Sequence, residues 1–348
     1  MKTLRCILTG LGNIGRTFLD ILPARAASLR DRYGIDLRIV AAADSSGVAV
    51  SPDGLDVAAV AALKRQKRGV AESPGVGRAG GDIAEVIRTL DAEFLLEATP
   101  TDIRTGRPGL DLVRAAFARG MNVVMASKGA LVVAFDELAS LSDWNGDASK
   151  PALRFSGAVA SALPTVNLGS RDLAGAHISR IEAVLNSTTQ VMLTMMRGGK
   201  SYAEALAEAQ RIGVAEPDPT LDVDGWDAAN KLVILANAVL RQPTKLSDLT
   251  VTGIVGVTRE QLEAASAAGG ALILLAKAER RTSGDGYDLS VAPTVVADDH
   301  PLSRLGAQEN GIVYHTDTVG RLAAFCLGEG PTGTAAAMLR DVIAIAKR

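Results

Sequence analysis

The chain has 348 residues, with 37 Lys and Arg against 39 Asp and Glu and a formal net charge of −2, and no basic cluster is dense enough to track a phosphate backbone, which argues against a nucleic-acid partner. At roughly 100 to 200 residues per domain, that length predicts two domains with a real hydrophobic interior. Only two cysteines occur, Cys6 and Cys326, both in apolar, strand-like runs, so they read as small buried thiols in a reducing cytosol and not as a disulfide framework or a zinc site.

The first segment, MKTLRCILTGLG, breaks its apolar run at Arg5 and turns into glycines, unlike the long apolar region and small-residue cleavage site of a signal peptide. No uncharged apolar run approaches the roughly 20 residues that cross a bilayer. A cytoplasmic protein without a membrane partner is expected. Apolar runs then alternate with helical stretches: LRCILTG, a helix from about Ile14, LRIVAAAD, helices around LDVAAVAALKR and DIAEVIRTL, FLLEATP, a helix near GLDLVRAAFARG, and NVVMAS. Strands without polar alternation, separated by helices, predict a parallel sheet covered on both faces. The fold class is α/β, with a doubly wound Rossmann domain over 1–135.

Beyond it the pattern changes. LRFSGAV and ISRIEAVL read as strands, SYAEALAEAQRIG and WDAANKLVILANAVL as helices, and LILLAKAERR and YDLSVAPTVVA as antiparallel strands joined by TSGDG. An α+β second domain is expected over 136–315. The closing TGTAAAMLRDVIAIAKR predicts an amphipathic helix with Ala337, Met338, Val342, Ile343 and Ile345 on its apolar face. From the residues alone, that helix caps the second domain or returns to the first. No internal repeat and no low-complexity linker interrupts the chain.

Gly10, Gly12 and Gly15 of GLGNIG stand at G-x-G-x-x-G spacing between the first strand and the first helix. The first glycine permits a tight turn, the second lets the backbone approach a pyrophosphate, and the third packs helix on strand. Asn13 and Ile14 open the helix whose free N–H groups would face the phosphates. Asp44 ends the second strand, where an acid either bonds the adenosine ribose or caps the turn in DSSG. Lys64 and Arg65 downstream could instead meet a 2′-phosphate, so both NAD and NADP stay open.

EPDPTLDVDGWDAANKL gathers Glu216, Asp218, Asp222, Asp224 and Asp227, then places Lys231 one turn beyond the last acid. Asp227 and Lys231 share a face of an otherwise nearly uncharged helix. A lysine held there by a carboxylate could exchange a proton with an alcohol or a developing alkoxide; the alternative is a surface ion pair. Lys128 follows a buried strand at its carboxyl end, where open α/β sheets bind ligands, or else snorkels from it. Asn186, Ser187 and Thr188 open a helix, either to meet a carboxylate or as a plain N-cap. His177, His300 and His315 have no metal-like spacing and read as structural or surface residues, so no metal is expected.

With these motifs the chain resembles the homoserine dehydrogenase family, in its short form without a C-terminal regulatory domain. The resemblance runs nearly end to end, through GLGNIG, ADSSG, EATPTDIRTGRPGL, SKGALV, LNSTTQVML, the block Tyr202 to Asn237 and GPTGTAAAMLRDVI. It implies reduction of aspartate semialdehyde to homoserine with NADPH or NADH, a step of threonine and methionine biosynthesis, by a homodimer acting on a small amino-acid substrate. By position, it implies that Lys231 is the acid/base lysine, Asp227 its partner and Lys128 the second lysine at the reacting oxygen. Glu216 and Asp222 would bind the substrate's amino end, and Thr188 and Ser187 would belong to its loop. Thr99, Pro100, Ser127, Gly330 and Thr334 would join Gly10, Gly12, Asn13, Ile14, Gly15 and Asp44 around the cofactor. The resemblance also returns the last segment, 316–348, to the nucleotide domain.

Some positions depart from the family pattern. Ser127 replaces an asparagine, Ser187 a glycine and Gln190 an asparagine, while FSGAVASALP has Ser156, Ser161 and Ala162 where the family has a glutamate and glycines. That glutamate belongs to a monovalent-cation site in the family. The altered loops raise a rival, an enzyme acting on another amino-acid semialdehyde or hydroxy acid. A second rival, a nucleotide-binding sensor without catalysis, is opposed by the retained Glu216, Asp222, Asp227 and Lys231, because grouped buried charges are costly to keep without use.

Overall fold

The apolar runs of the first 160 residues become strands, and the stretches between them become helices whose apolar faces cover the sheet. In the computed structural model, which describes residues 1–328 and 330–348, the chain divides into two compact units, Met1–Ala162 with Gly330–Arg348, and Leu163–Glu329. The first holds β1 (Lys2–Thr9), β2 (Ile35–Asp44), β3 (Gly47–Val50), β4 (Gly77–Ala79), β5 (Phe94–Glu97), β6 (Asn122–Met125) and β7 (Leu153–Arg154). They form one sheet of order β4-β3-β2-β1-β5-β6-β7. From β2 through β7 the neighbours run parallel, and parallel strands need crossover connections. Helices α1 (Asn13–Tyr33), after β1, and α4 (Gly109–Ala118), after β5, lie in such connections, while α2 (Val57–Arg65) follows β3 and α3 (Ile83–Thr89) follows β4. Gly34, in the left-handed region, ends α1 and returns its N–H to Arg30 and Leu29 carbonyls.

Two features differ from the expected pattern. β3 and β4 run antiparallel on one edge, because the chain reverses directly after Asp44. LRFSGAV, expected as a strand of the second domain, contributes only Leu153–Arg154, paired with β6 of the first sheet, and then a 3-10 turn at Ser156–Ala158. Local bonds hold it there: Asn122 Oδ1 accepts from the Ala152 N–H at 2.9 Å, and the buried Asp341 accepts from the Ser156 N–H and hydroxyl at 2.8 and 2.7 Å. The first unit therefore runs to Ala162, past the expected border at 135.

The C-terminal helix, Thr332–Ala346, packs on α1. Met338, Leu339, Val342 and Ile345 join Phe18, Leu19 and Leu22 in one core, with Ile343 at its margin; each such side chain contributes about 1.5–3 kcal/mol by burial. The segment 316–348 is thus divided, since Arg321–Leu327 is a strand of the second sheet.

The second unit carries β8 (Ile178–Val184), β9 (Leu249–Val251), β10 (Gly270–Arg280), β11 (Tyr287–Ala297), β12 (Glu309–Thr316) and β13 (Arg321–Leu327) in the order β13-β12-β8-β10-β11-β9. β10 and β11 form the expected antiparallel pair, closed at Arg280 and Tyr287. Its longer helices are α5 (Ser187–Arg197), α6 (Tyr202–Arg211), α7 (Trp226–Ala238) and α8 (Arg259–Ala267). Ser201 and Glu204 start α6 with a capping box. α7 is apolar nearly all round, with Leu232, Val233, Ile234 and Leu235 fully buried, which leaves Lys231 few places to go. Among the described residues, no helix is long and apolar enough to cross a membrane.

Candidate active site

In the first unit the glycine turn sits at the carboxyl end of β1. Gly10 has φ +84° and a Cβ there would collide with the Ala98 carbonyl, while a Cβ on Gly15 would collide with the Gly10 carbonyl. Only glycine fits at either position. A Cβ on Gly12 would meet nothing within 4 Å, so the space beside that residue is open. Gly12 is also the N-cap of α1 and gives it no side-chain cap; the first N–H groups, from Asn13 and Ile14 onward, are left for an anion.

Asp44 ends β2 with both oxygens engaged. Oδ1 accepts from the Ser46 N–H at 2.8 Å and its hydroxyl at 2.5 Å; Oδ2 accepts from Lys64 Nζ at 2.5 Å and the Val70 N–H at 3.0 Å. Burial works to raise its pKa, but the bonds from Lys64 and Ser46 outweigh it and hold the carboxyl below its ordinary value. Asp44 therefore caps the turn and pairs with Lys64.

At the carboxyl ends of β5 and β6, a fully buried acid, Glu97, ties two expected cofactor residues together. Oε1 accepts from the Thr99 N–H at 2.8 Å and from the Thr99 hydroxyl, and Oε2 accepts from the Ser127 hydroxyl. Burial pushes the Glu97 carboxyl up, against the pull of these donors. Pro100 lies exposed beyond Thr99. Lys128, next to Ser127, is half-buried, with its N–H on the Thr101 hydroxyl at 3.3 Å. Gly330 has φ +59°, and the Thr334 hydroxyl lies 3.3 Å from that of Ser161. Ser161 and its neighbour Ala160 both hold left-handed backbone, φ +58° and +62°, a conformation that costs energy in residues other than glycine. The replaced loop position, Ser156, is buried, and Arg340 donates to its hydroxyl and to the Ala162 carbonyl, each at 3.1 Å.

The second unit assembles the acids and the lysine. Lys231 Nζ donates to Asp227 Oδ2 at 2.5 Å and to the Leu185 carbonyl at 2.6 Å, with only 13% of its side chain exposed. Asn186 Nδ2 donates to Asp222 Oδ1 at 2.7 Å and to Asp227 Oδ2 at 2.9 Å. The same Asn186 caps α5, its Oδ1 accepting from the Thr189 N–H at 2.9 Å; the plain N-cap and the polar site are thus one residue. Burial, then the charge of Asp227, pushes the Asp222 carboxyl above its ordinary value, with Asn186 and Thr188 opposing. Thr188 also donates to the Val214 carbonyl at 3.1 Å, and Ser187 accepts from Asn310 at 3.3 Å. Glu216 is exposed, and its carbonyl accepts from Gln210 at 3.2 Å. Asp218 caps a turn at Thr220.

Residues 164–343 match the family profile described as homoserine dehydrogenase. An NAD(+)-dependent homoserine dehydrogenase of Pseudomonas canavaninivorans is 33% identical over 346 residues, 99% of this chain and 97% of the relative. The chain belongs to the homoserine dehydrogenase family. A homoserine dehydrogenase of Methanocaldococcus jannaschii is 34% identical, across 97% of both chains. The solved homoserine dehydrogenase of Thiobacillus denitrificans superposes with a TM-score of 0.83 at 26% identity, over all of this chain and 74% of the other.

In this homoserine dehydrogenase family member the sequence pointed to Asn186 only as a helix-opening residue, and it did not point to Glu97. Glu97 hides in the apolar run FLLE; an acid at the carboxyl edge of a central strand, where open sheets bind ligands, was the available signal. The bridging role of Asn186 was not visible, because no spacing announces a contact with acids 36 and 41 residues away.

Proposed function

We propose that this chain interconverts L-aspartate 4-semialdehyde and L-homoserine with NADP or NAD, and that Lys231 moves the proton at the substrate oxygen. The observation that carries the reading is the Lys231–Asp227–Asn186–Asp222 network, in which a largely buried lysine is aimed by a carboxylate and a carbonyl. In the reductive direction the Lys231 ammonium gives a proton to the carbonyl oxygen and becomes the neutral amine; as an alcohol is oxidised, that amine takes up the hydroxyl proton. Asp227 and the Leu185 carbonyl hold the ammonium in place, which preorganises the donor before substrate arrives. Asp222 and Glu216 are assigned to the substrate's amino group, Thr188 and Ser187 to the loop beside it, and Lys128 to the role of second lysine at the reacting oxygen.

The first unit's residues fit a dinucleotide. Gly12 offers open space beside the unpaired N–H groups of α1, and Gly10, Asn13, Ile14, Gly15, Asp44, Thr99, Pro100, Ser127, Gly330 and Thr334 are assigned to holding it. When bound, that cofactor supplies or accepts the hydride. The reading includes a homodimer, supported by Val319, Phe325 and Leu327, left 55, 46 and 53% exposed, and a cytoplasmic location. A second reading, another amino-acid semialdehyde or hydroxy acid as substrate, is favoured by Ser187 and by Gln190, whose amide is buried and turned to the Leu305 carbonyl.

Lys231→Ala tests the assignment. Turnover should fall roughly 1,000-fold, the scale of a general acid–base group, with cofactor affinity unchanged by fluorescence titration. A variant with near-normal kcat would remove Lys231 from the mechanism.

A further inference from the structure

The second sheet has a side-chain cluster that the oxidoreductase chemistry does not use. Glu182 on β8, His315 on β12 and His300, just before the helical turn Pro301–Arg304, meet on one face. Register explains two of them: Glu182 lies opposite Val313 and Arg180 opposite His315, so Glu182 and His315 are diagonal neighbours. Packing explains the third. Leu302, fully buried with Val184, Leu275 and Val313, seats the turn on the sheet and brings His300 over Glu182.

His315 Nε2 lies 2.6 Å and His300 Nε2 3.2 Å from the same Glu182 Oε2, and all three atoms fall within 4.8 Å of one another. Glu182 is 7% exposed. Burial works to raise its pKa, and the bonds from His300 and His315 outweigh that and hold the carboxyl below its ordinary value. An anionic oxygen and two imidazole nitrogens from three separate elements make a ligand set of the kind that binds zinc and its first-row neighbours. Metal bonds of about 2.0–2.2 Å in a tetrahedron hold ligand atoms about 3.3 Å apart. The Glu182–His300 distance already matches, and His315 needs to withdraw by less than about 1 Å.

We propose that Glu182, His300 and His315 form a binding site for a divalent transition-metal ion such as Zn²⁺, clasping the Pro301–Arg304 turn to β8 and β12. The three ligands leave a fourth coordination position. Glu182 and His300 also border a cavity of about 370 Å³ with Arg180, Lys277, Ser290 and Arg321, and its cations favour water-derived hydroxide or another small anion as the fourth ligand. Arg180, 3.8 Å from Glu182 Oε1, opposes the metal's charge, as do Lys277 and Arg321, while Asp299 in the same lining offsets them. Without metal, His300 Nδ1 accepts from the Leu302 N–H at 3.2 Å, which places the ring proton on Nε2. Coordination at Nε2 shifts that proton to Nδ1 and gives up this long bond and the two histidine bonds to Glu182 in exchange for three coordinate bonds.

The site is independent of the proposed dehydrogenase reading, and its test does not depend on turnover. Full-length protein, stripped with a chelator and dialysed, is titrated with Co²⁺, followed by its visible absorption, and then with competing Zn²⁺. The expected result is one equivalent per chain, displaced by Zn²⁺, with binding weakened roughly tenfold or more in Glu182→Gln and in His315→Gln. Zn²⁺ should raise the melting temperature of the wild type and not of either variant, and circular dichroism checks that both fold. Equal metal binding by wild type and variants, or none above background in the wild type, would overturn the proposal; the three residues would then be a hydrogen-bonded cluster only.

Discussion

The glycine turn of the first unit and the acid–lysine network of the second are built from different materials. At Gly10, Gly12 and Gly15 the features that matter are backbone conformation, empty space and unpaired N–H groups. Around Lys231 they are charged side chains, each holding the next through Asn186 and Asp227. A backbone site fails when a side chain is added, because the main chain has nowhere to move. A side-chain network fails when one member is removed, because the remaining buried charges lose their partners. The two regions should therefore respond in opposite ways to small substitutions.

Gly15→Ala carries the largest expected effect on stability. Its methyl group would strike the Gly10 carbonyl, and overpacking of this kind costs about 3 kcal/mol. A fall in melting temperature together with lost cofactor binding is expected, and an unchanged melting curve would break the backbone half of the comparison. Gly12→Ala should leave the melting curve alone, since its methyl meets nothing within 4 Å, and still weaken cofactor binding if the proposed site is correct.

Asn186→Ala probes the other half. It removes the donor shared by Asp222 and Asp227, and two hydrogen bonds to charged groups are worth about 3 kcal/mol together, or roughly a 100-fold loss of kcat/KM. Cofactor affinity should not change. Loss of the α5 cap lowers stability by about 1 kcal/mol; Asn186→Asp keeps a capping oxygen but sets a third carboxylate against Asp222 and Asp227 in a buried position, so it should restore neither stability nor activity at neutral pH.

The smallest expected effect is on stability in Asp222→Asn. The folded-state pKa of Asp222 is raised by burial and by Asp227, so its ionised form costs stability above that pKa. The cost disappears as pH falls below the ordinary carboxylate range. The variant should melt no lower than the wild type at neutral pH, and its advantage should shrink on acidification. Its KM for homoserine should rise all the same. A clear loss of neutral-pH stability would show that Asp222 is a structural acid.

The same contrast explains what could be read from the residues. The glycine spacing and the i, i+4 relation of Asp227 and Lys231 are local, and both reappear in the structure, the first as close backbone approach and the second as an ion pair. Glu97, Asn186 and the Glu182–His300–His315 cluster depend on strand register and loop seating across tens of residues, which no local pattern encodes. LRFSGAV shows a related limit. Its apolar texture suited a strand, yet Asp341, 185 residues away, sets the path of the chain at Ser156, and with it the border of the first unit.

The central claim is tested most directly by the initial rate of nicotinamide absorbance change with L-homoserine, under NAD and under NADP, beside a panel of hydroxy amino acids and hydroxy acids. The account predicts turnover with L-homoserine that exceeds every other member of the panel. Activity on another member with none on L-homoserine would contradict it, as would cofactor binding without turnover of any.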